Sequence, residues 1–389
     1  MEAALFAEMI SDKSVTDLKK LQYKYPHANI EEFVRLLNSS LYRSLPLTDF
    51  NGQQCVYMSN MSQVRTSTIK ALMHRQGGEY KYGFKAMENE IISTLAIENI
   101  PASRDSVKRI LNGYAPNDNS ENFIYGIKKG LDFISEPNNR ITEANIFALY
   151  QMAIGDFLDT DDKLLLNRYY RHDKVYIMGQ ALEHMGLPHQ MLPEYISGLI
   201  SFINEEDEMN DLTKAAVIHF YIGYLHPYFD GNGRMARLLH LWYLVQQGYS
   251  SILFISLSSH VNKNKAQYYN AFTLVEKNAK ISGVLDVTPF LEYFIGCVYN
   301  HLESGAPPHR TVEQFSKQLD DGQITPKERD LWNFVLTAYG TAEFSTKQLE
   351  RDFGNAAYAT IRGFVMKLER LSLLNCKRYG SRVKYQIEL

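Results

Sequence analysis

Within twelve residues, His226 to Arg237, the chain gathers an imidazole, a carboxylate, a Gly-Asn-Gly turn and two guanidiniums (His-Pro-Tyr-Phe-Asp-Gly-Asn-Gly-Arg-Met-Ala-Arg). Each type has a chemical use. Gly231 and Gly233 let the backbone approach an anion closely and adopt positive φ, so that the N–H groups around Asn232 can face a phosphate. Asp230 would repel a bare phosphate there, and reads instead as a ligand for Mg²⁺ bridging phosphate oxygens. Arg234 and Arg237, three apart on a helix, share a face and can clamp further phosphates. His226 stands at the other lip, where it can take a proton from an attacking hydroxyl. Any one of these residues is uninformative alone. Together they describe a phosphate-transferring site.

Such a site needs rigid flanks. Ala216, Val217, Phe220, Tyr221 and Tyr224-Leu225 fall on a helical stripe before the motif, and Leu238, Leu239, Trp242 and Val245 on another after it. The expectation is helix, tight loop, helix, with the glycines at the positive N-terminus of the second helix. Upstream, Ala86 to Ile97 reads as an amphipathic helix that Pro101 keeps from continuing. Glu98 then falls at its C-terminal end, where the dipole disfavours a carboxylate unless an arginine faces it. Tyr169–Arg171 and Val175-Tyr176-Ile177-Met178 are β-rich, with His172-Asp173 as the expected turn of a surface flap. Residues 1–84 read as an N-terminal helical segment without a motif, with Phe50 to Met58 as strand or loop around an Asn51-Gly52 turn. Ser259-His260 reads as loop, and the acidic run Glu205–Glu208 as solvated.

At 389 residues the chain is long enough for two or three domains. Lys+Arg 41 against Asp+Glu 44 leaves −3, so any nucleic-acid or membrane partner would need a local patch. Cys55, Cys297 and Cys376 are too scattered for a disulfide framework or a metal site, which fits a reducing compartment. No stretch approaches the ~18–20 apolar residues of a membrane span, and the N-terminus lacks a signal-peptide pattern. A cytoplasmic protein with no membrane partner is the expectation.

The central stretch resembles the signature of the Fic family, His-Pro-Phe-x-Asp/Glu-Gly-Asn-Gly-Arg-x-x-Arg, departing from it only at Tyr228. A tyrosine there can still anchor the loop in the core if its hydroxyl finds a partner. The resemblance covers roughly residues 85–303. It implies a mainly α, Fic-type helical core that transfers AMP from ATP to a Ser, Thr or Tyr hydroxyl of a target protein, or of the chain itself. His226 would be the base, Asp230 the Mg²⁺ ligand, and Gly231, Asn232, Gly233, Arg234 and Arg237 the phosphate contacts. The flap Val175–Met178 would hold the target by strand addition. Tyr268 and Tyr269 resemble residues lining the family's adenosine pocket, with aromatic core packing as the alternative. Thr94-Leu95-Ala96-Ile97-Glu98-Asn99 fits the family's inhibitory motif, Ser/Thr-x-x-x-Glu-Gly/Asn, which would pair Glu98 with Arg237 and keep that arginine from the terminal phosphate.

Beyond a linker at residues 304–324, marked by Ser304-Gly305-Ala306-Pro307-Pro308, residues 325–389 read as helix, helix, turn, helix, hairpin. That is a winged helix-turn-helix pattern. From Ala356 onward seven basic residues (Arg362, Lys367, Arg370, Lys377, Arg378, Arg382, Lys384) face two acids. DNA binding, protein docking and homodimer formation all remain open for this part. The rival to the enzyme is a DNA-binding regulator whose core senses nucleotide. Within enzymes, transfer of another phosphate-linked group and removal of AMP are the alternatives.

Overall fold

Both helices expected around the motif are present, a leading helix, Asp211–Leu225, and a trailing helix, Asn232–Gln246. The computed structural model describes residues 1–61, 63–65, 68–69, 83–136, 138–178, 183–249, 252–253, 255–302, 314–315, 317–319, 321–339, 342–353 and 356–387. The chain is mainly helical, with three two-stranded antiparallel sheets among those residues. It divides into two compact units, one of residues 1–65, 140–243 and 260–300, the other of 66–139, 244–259 and 301–389. No helix among the described residues is long and apolar enough to cross a membrane.

The leading helix is the centre of the first unit. The sequence suggests an apolar stripe, yet burial extends around the whole helix and includes Lys214 and His219. A helix buried on every side needs its polar groups satisfied inside. Lys214 Nζ bonds Glu205 O at 2.7 Å and Asp207 Oδ2 at 2.8 Å, so the acidic run, exposed along its length as expected, also supplies a counter-charge through Asp207. Asn210 caps the helix start, its side chain accepting from the N–H groups of Leu212 and Thr213.

Residues 1–58 are helical up to Ser40 and extended after it, with a strand inside the stretch Phe50–Met58 that reads as strand or loop. After helices Ala3–Ser11, Leu18–Lys24 and Ile30–Ser40 comes a hairpin of Tyr42–Thr48 with Gln54–Met58. Tyrosine hydroxyls tie that hairpin into the unit. Tyr221 donates to Thr48 O at 2.7 Å and Tyr195 to Asp49 O at 2.8 Å. Phenols on buried helix faces need acceptors, and the hairpin's carbonyls supply them. The N-terminal segment thus completes the unit that holds the motif.

Between the two flanking helices lies a pair of fully buried histidines. His219 on the leading helix and His240 on the trailing one meet with ring centroids 5.4 Å apart, against Phe290 and Phe294. His219 Nε2 lies 2.8 Å from the Tyr268 hydroxyl. Tyr299 donates its proton to Leu212 O and therefore accepts from His240 Nε2–H at 2.9 Å. Burial holds both imidazoles neutral, with the His240 pKa lowered to about 3 and that of His219 well below its ordinary value.

The second unit holds helices Phe84–Ile97, Arg104–Leu111 and Asn119–Ser135 together with the C-terminal elements. Glu90, buried on the first of these, accepts from Ser256 Oγ and Ser258 N, both at 2.9 Å, and from Ser258 Oγ. Helices Pro326–Ala338, Thr346–Phe353 and Tyr358–Arg370 precede the hairpin Leu374–Tyr379/Arg382–Ile387, the element order expected from the sequence. The expected boundaries shift in two places. The helix carrying Glu98 packs with the C-terminal elements in this unit, not in the unit of the motif, because Phe84 at its start joins the core around Trp332. Phe315 and Ile324, within the expected linker, are buried in that core, Phe315 stacked on Trp332 at 5.0 Å. Ser304–Pro308 lie outside the described residues.

The buried imidazoles predict how stability responds to acid. Unfolded histidines titrate near 6.5, so below that pH the unfolded chain binds protons that the folded one refuses. Stability is complete above about pH 6.5 and falls on acidification by about 1.4 kcal/mol per unit for each histidine, down to the folded pKa. His240→Gln, which keeps a donor toward Tyr299, should reduce that slope by one group. Urea midpoints measured from neutral pH to about pH 5 test this, and an unchanged slope would mean that His240 is not the buried neutral group.

Candidate active site

His226 is the C-cap of the leading helix, at φ 54° and ψ 61°, with its N–H on Ile222 O at 3.1 Å. Left-handed backbone costs a residue with a Cβ roughly 1–2 kcal/mol, so the surroundings must hold it. The Nε of buried Arg171 does so, donating to His226 O at 2.7 Å. His226 Nδ1 lies 3.2 Å from Gly223 O. A carbonyl can only accept, so Nδ1 carries the proton and Nε2 keeps its lone pair. The sequence singled out the imidazole. The tautomer comes from the structure.

The loop after His226 is closed by Asn232. Its Oδ1 accepts from Tyr228 N–H at 2.9 Å and its Nδ2 donates to Tyr228 O at 2.8 Å. The Asn232 side-chain amide is taken up by the loop. What Asn232 offers an anion is its backbone N–H, at the start of a fifteen-residue helix whose first turn also holds Gly233. Tyr228 is buried face to face on Tyr150, ring centroids 3.7 Å apart and planes 6° from parallel. Gly231 has φ +83°, and a Cβ there would sit 2.6 Å from Ile154 Cγ2. Tyr150 and Ile154, from the end of helix Glu143–Ala153 and its cap, form the floor of the loop. The sequence gave no sign of either. The Tyr150 hydroxyl is buried without a hydrogen-bond partner among the described residues, and burial first, then the Asp230 charge, pushes its pKa up.

Asp230 and Arg234 form an ion pair at 2.6 Å, with the guanidinium buried and the carboxylate half exposed. Arg237 is buried one turn further along the trailing helix. Among the described residues no group of three or more His, Cys, Asp or Glu could hold a metal. One half-exposed carboxylate is nevertheless what suits Mg²⁺ that arrives with a nucleotide, since that ion keeps its waters and takes one or two protein carboxylates alongside phosphate oxygens.

The flap differs from its expected form. Tyr176–Met178 pairs antiparallel with Glu183–Met185, so the second strand follows Val175–Met178 instead of preceding it. Tyr169–Arg171 is not a strand because Arg171 is buried and fastened to the loop. Tyr176 and Met185 face each other across the pair and are exposed.

Tyr268 lies in the aromatic core, 2% exposed, with Phe272, Phe290 and Tyr293 around it, and Tyr269 is 44% exposed. Of the two readings for Tyr268, core packing describes its place. Ser259 and His260 fall inside helix Leu257–Lys263, not in a loop.

In the other unit, Thr94 is buried, Glu98 is half-buried and caps its helix, and Asn99 takes φ 59°. Ile100 N–H on Leu95 O at 2.9 Å completes that helix end. A left-handed residue past a helix C-terminus is glycine or asparagine by preference. The Gly/Asn slot of the expected motif therefore has a backbone cause.

Residues 140–244 match the Fic/DOC family. Over this segment the chain is similar to Fic domains. The chain is similar to protein adenylyltransferase Fic of Drosophila grimshawi, 24% identical over 134 residues, 34% of this chain and 25% of that protein. It is similar to protein adenylyltransferase fic-1 of Caenorhabditis elegans, 24% identical over 149 residues, 36% of this chain and 26% of that one. A probable protein adenylyltransferase of Aquifex aeolicus is 24% identical over 127 residues, 32% of this chain and 39% of its own length. The chain thus spans about a quarter of the length of the two animal relatives. Among solved structures, a Fic family protein from Desulfovibrio desulfuricans is 18% identical with a TM-score of 0.47, covering 78% of this chain and 86% of that one. The match ends within the trailing helix, and Tyr268 lies beyond it.

The loop floor yields a stability prediction. Gly231→Ala should destabilise the chain by about 2–4 kcal/mol, from left-handed strain plus overlap with Ile154. In an Ile154→Ala background the same change should cost only the strain, about 1–2 kcal/mol. Urea denaturation of the four proteins measures both, and equal costs in the two backgrounds would remove Ile154 from the account.

Proposed function

We propose that this chain is a protein adenylyltransferase, moving AMP from ATP to a Ser, Thr or Tyr hydroxyl of a target protein or of itself. The observation that carries the reading is His226, its Nδ1 tied to Gly223 O, at the lip of a glycine turn backed by buried Arg234 and Arg237. In the proposed step, His226 Nε2 takes the hydroxyl proton as that oxygen attacks the α-phosphorus. A phosphorus–oxygen bond to the target forms, the bond to the β-phosphate oxygen breaks, and pyrophosphate leaves with the electron pair. The N–H groups at the start of the trailing helix and the two guanidiniums hold the phosphates. Mg²⁺, held by Asp230 when bound, would neutralise charge on the phosphates. The hairpin around Tyr176 presents the target as an added strand.

We also infer that Glu98 restrains this reaction. Support comes from Thr94–Asn99, whose backbone geometry accounts for Asn99, while a carboxylate at that helix end opposes the dipole.

Two labels of ATP decide between chemistries. A Glu98→Gly chain given ATP labelled at the α-phosphate should transfer label well above the unaltered chain, and none from the γ-phosphate. Transfer from γ alone would make the reaction phosphorylation, and equal α-labelling by both chains would remove the restraint. His226→Ala should abolish transfer and still bind ATP. If that variant still labels a target, another group is the base.

A further inference from the structure

Arg171 does more than hold the carbonyl of His226. The residue is 2% exposed and its guanidinium donates to three carbonyl oxygens, with no carboxylate among its hydrogen-bond partners in the described residues. Nε donates to His226 O at 2.7 Å, Nη1 to Asp173 O at 2.7 Å, and Nη2 to Leu187 O. Asp173 lies just before the hairpin and Leu187 just after it. One planar fork therefore grips both feet of the flap and the backbone of the base.

Main-chain bonds run the same way. Arg171 N–H bonds Pro227 O at 3.0 Å, Leu187 N–H bonds Leu225 O at 3.3 Å, and Gly186 N–H bonds Val175 O at 3.1 Å. The stretch Leu225–Pro227 is thus held on one side by residue 171 and on the other by residue 187. Gly186 leaves no room for slippage. A Cβ there would lie 2.8 Å from Arg171 Nη2, 2.8 Å from Val175 Cγ1 and 3.2 Å from His226 Cβ. Burial lowers the Arg171 pKa to about 10, which leaves the group charged at neutral pH.

We propose that Arg171 is a positioning residue that keeps the target-docking hairpin in register with His226, an inference that rests on the transfer reaction proposed above. A strand docked on the hairpin is held by main-chain bonds, so its distance from His226 Nε2 is set by whatever fixes the hairpin to His226. The fork's rigid geometry fixes that distance in a way one flexible ammonium does not. Misplacing a reacting group by ~1 Å can lower a rate by ~100-fold, which gives the size of the expected effect.

The test uses the full chain carrying Glu98→Gly, with Arg171→Met, Arg171→Lys or Gly186→Ala added. Self-labelling from α-labelled ATP at saturating ATP should fall by about 100-fold in Arg171→Met, while the dissociation constant for ATP stays within about twofold. Amide hydrogen exchange should quicken together at Gly186, Leu187 and His226 by about tenfold or more, and stay unchanged at Ile218 inside the leading helix. Gly186→Ala should give the same pattern from the other side of the contact. Arg171→Lys, which keeps the charge and the fold without the fork, should show the same split at smaller size. Unchanged exchange at Leu187 and His226 overturns the proposal, as does faster exchange at Ile218 as well, which would mean general destabilisation. Full recovery by Arg171→Lys also overturns it, because charge alone would then suffice. If no label is transferred even with Arg171 intact, the transfer reading fails, and the exchange pattern alone decides whether Arg171 couples the hairpin to His226.

Discussion

The left-handed turn at His226 is the constraint on which the site depends. A helix that continued past Leu225 would carry the imidazole into the packed interior of the leading helix. The reversal brings it to the lip of the loop, tied back to Gly223 through Nδ1. Everything that follows keeps this disfavoured conformation in place. Arg171 holds the carbonyl, Asn232 closes the loop from within, and the Tyr150–Tyr228 stack fixes its depth. Strain of this kind persists only where the surroundings over-determine it, and here they do so with hydrogen bonds at each end of the loop.

The same unit solves the problem of buried basic groups in two ways. His219 and His240 give up their protons, and their lowered pKa values follow from burial among aromatic rings. Arginine cannot take that route at any ordinary pH. Arg171 keeps its charge by surrounding it with carbonyl dipoles, and Arg234 by pairing with Asp230. Lys214 uses a carbonyl and a carboxylate together. The positive charge behind the anion loop is therefore fixed as pH varies, while the aromatic core beside it stays uncharged. The phosphate binding proposed for this site would gain from that division, because the field would not fade as nearby groups titrate.

The parts legible in the sequence were those with a strong local cause. The two flanking helices and the glycine turn follow from periodicity and from residues that few other conformations suit. The C-terminal order of helices and hairpin was readable for the same reason. Long-range hydrogen bonds left no such trace. Nothing in Tyr169-Tyr170-Arg171 tells that the arginine reaches His226 fifty-five residues away, so a β-rich composition misplaced the flap's second strand. The Tyr150 floor, the His219–His240 pair and the tyrosine ties to residues 48–49 are likewise contacts between distant segments. Asn232 shows the opposite limit. Its position was readable, but the two bonds by which its side chain closes the loop on Tyr228 were not.

Local accounting also weighs the two expectations placed on the second unit. Seven basic residues near the C-terminus suggested a nucleic-acid surface, but three of them are paired with acids that lie earlier in the chain. Lys367 bonds Glu328 at 2.8 Å, and Lys377 and Lys384 flank Glu343 at 3.1 and 3.5 Å. The hairpin's lysines are thus part of the unit's own surface ion pairs, and the charge left for phosphate contacts is smaller than the sequence count implies. Glu98 behaves differently. Left-handed helix closure accounts for the asparagine beside it, whereas the helix dipole works against a carboxylate at that end. A residue that local chemistry disfavours is where a functional requirement is most visible, because natural sequences otherwise agree with their local structure. By that measure the restraint proposed for Glu98 is better supported than a nucleic-acid role for the hairpin.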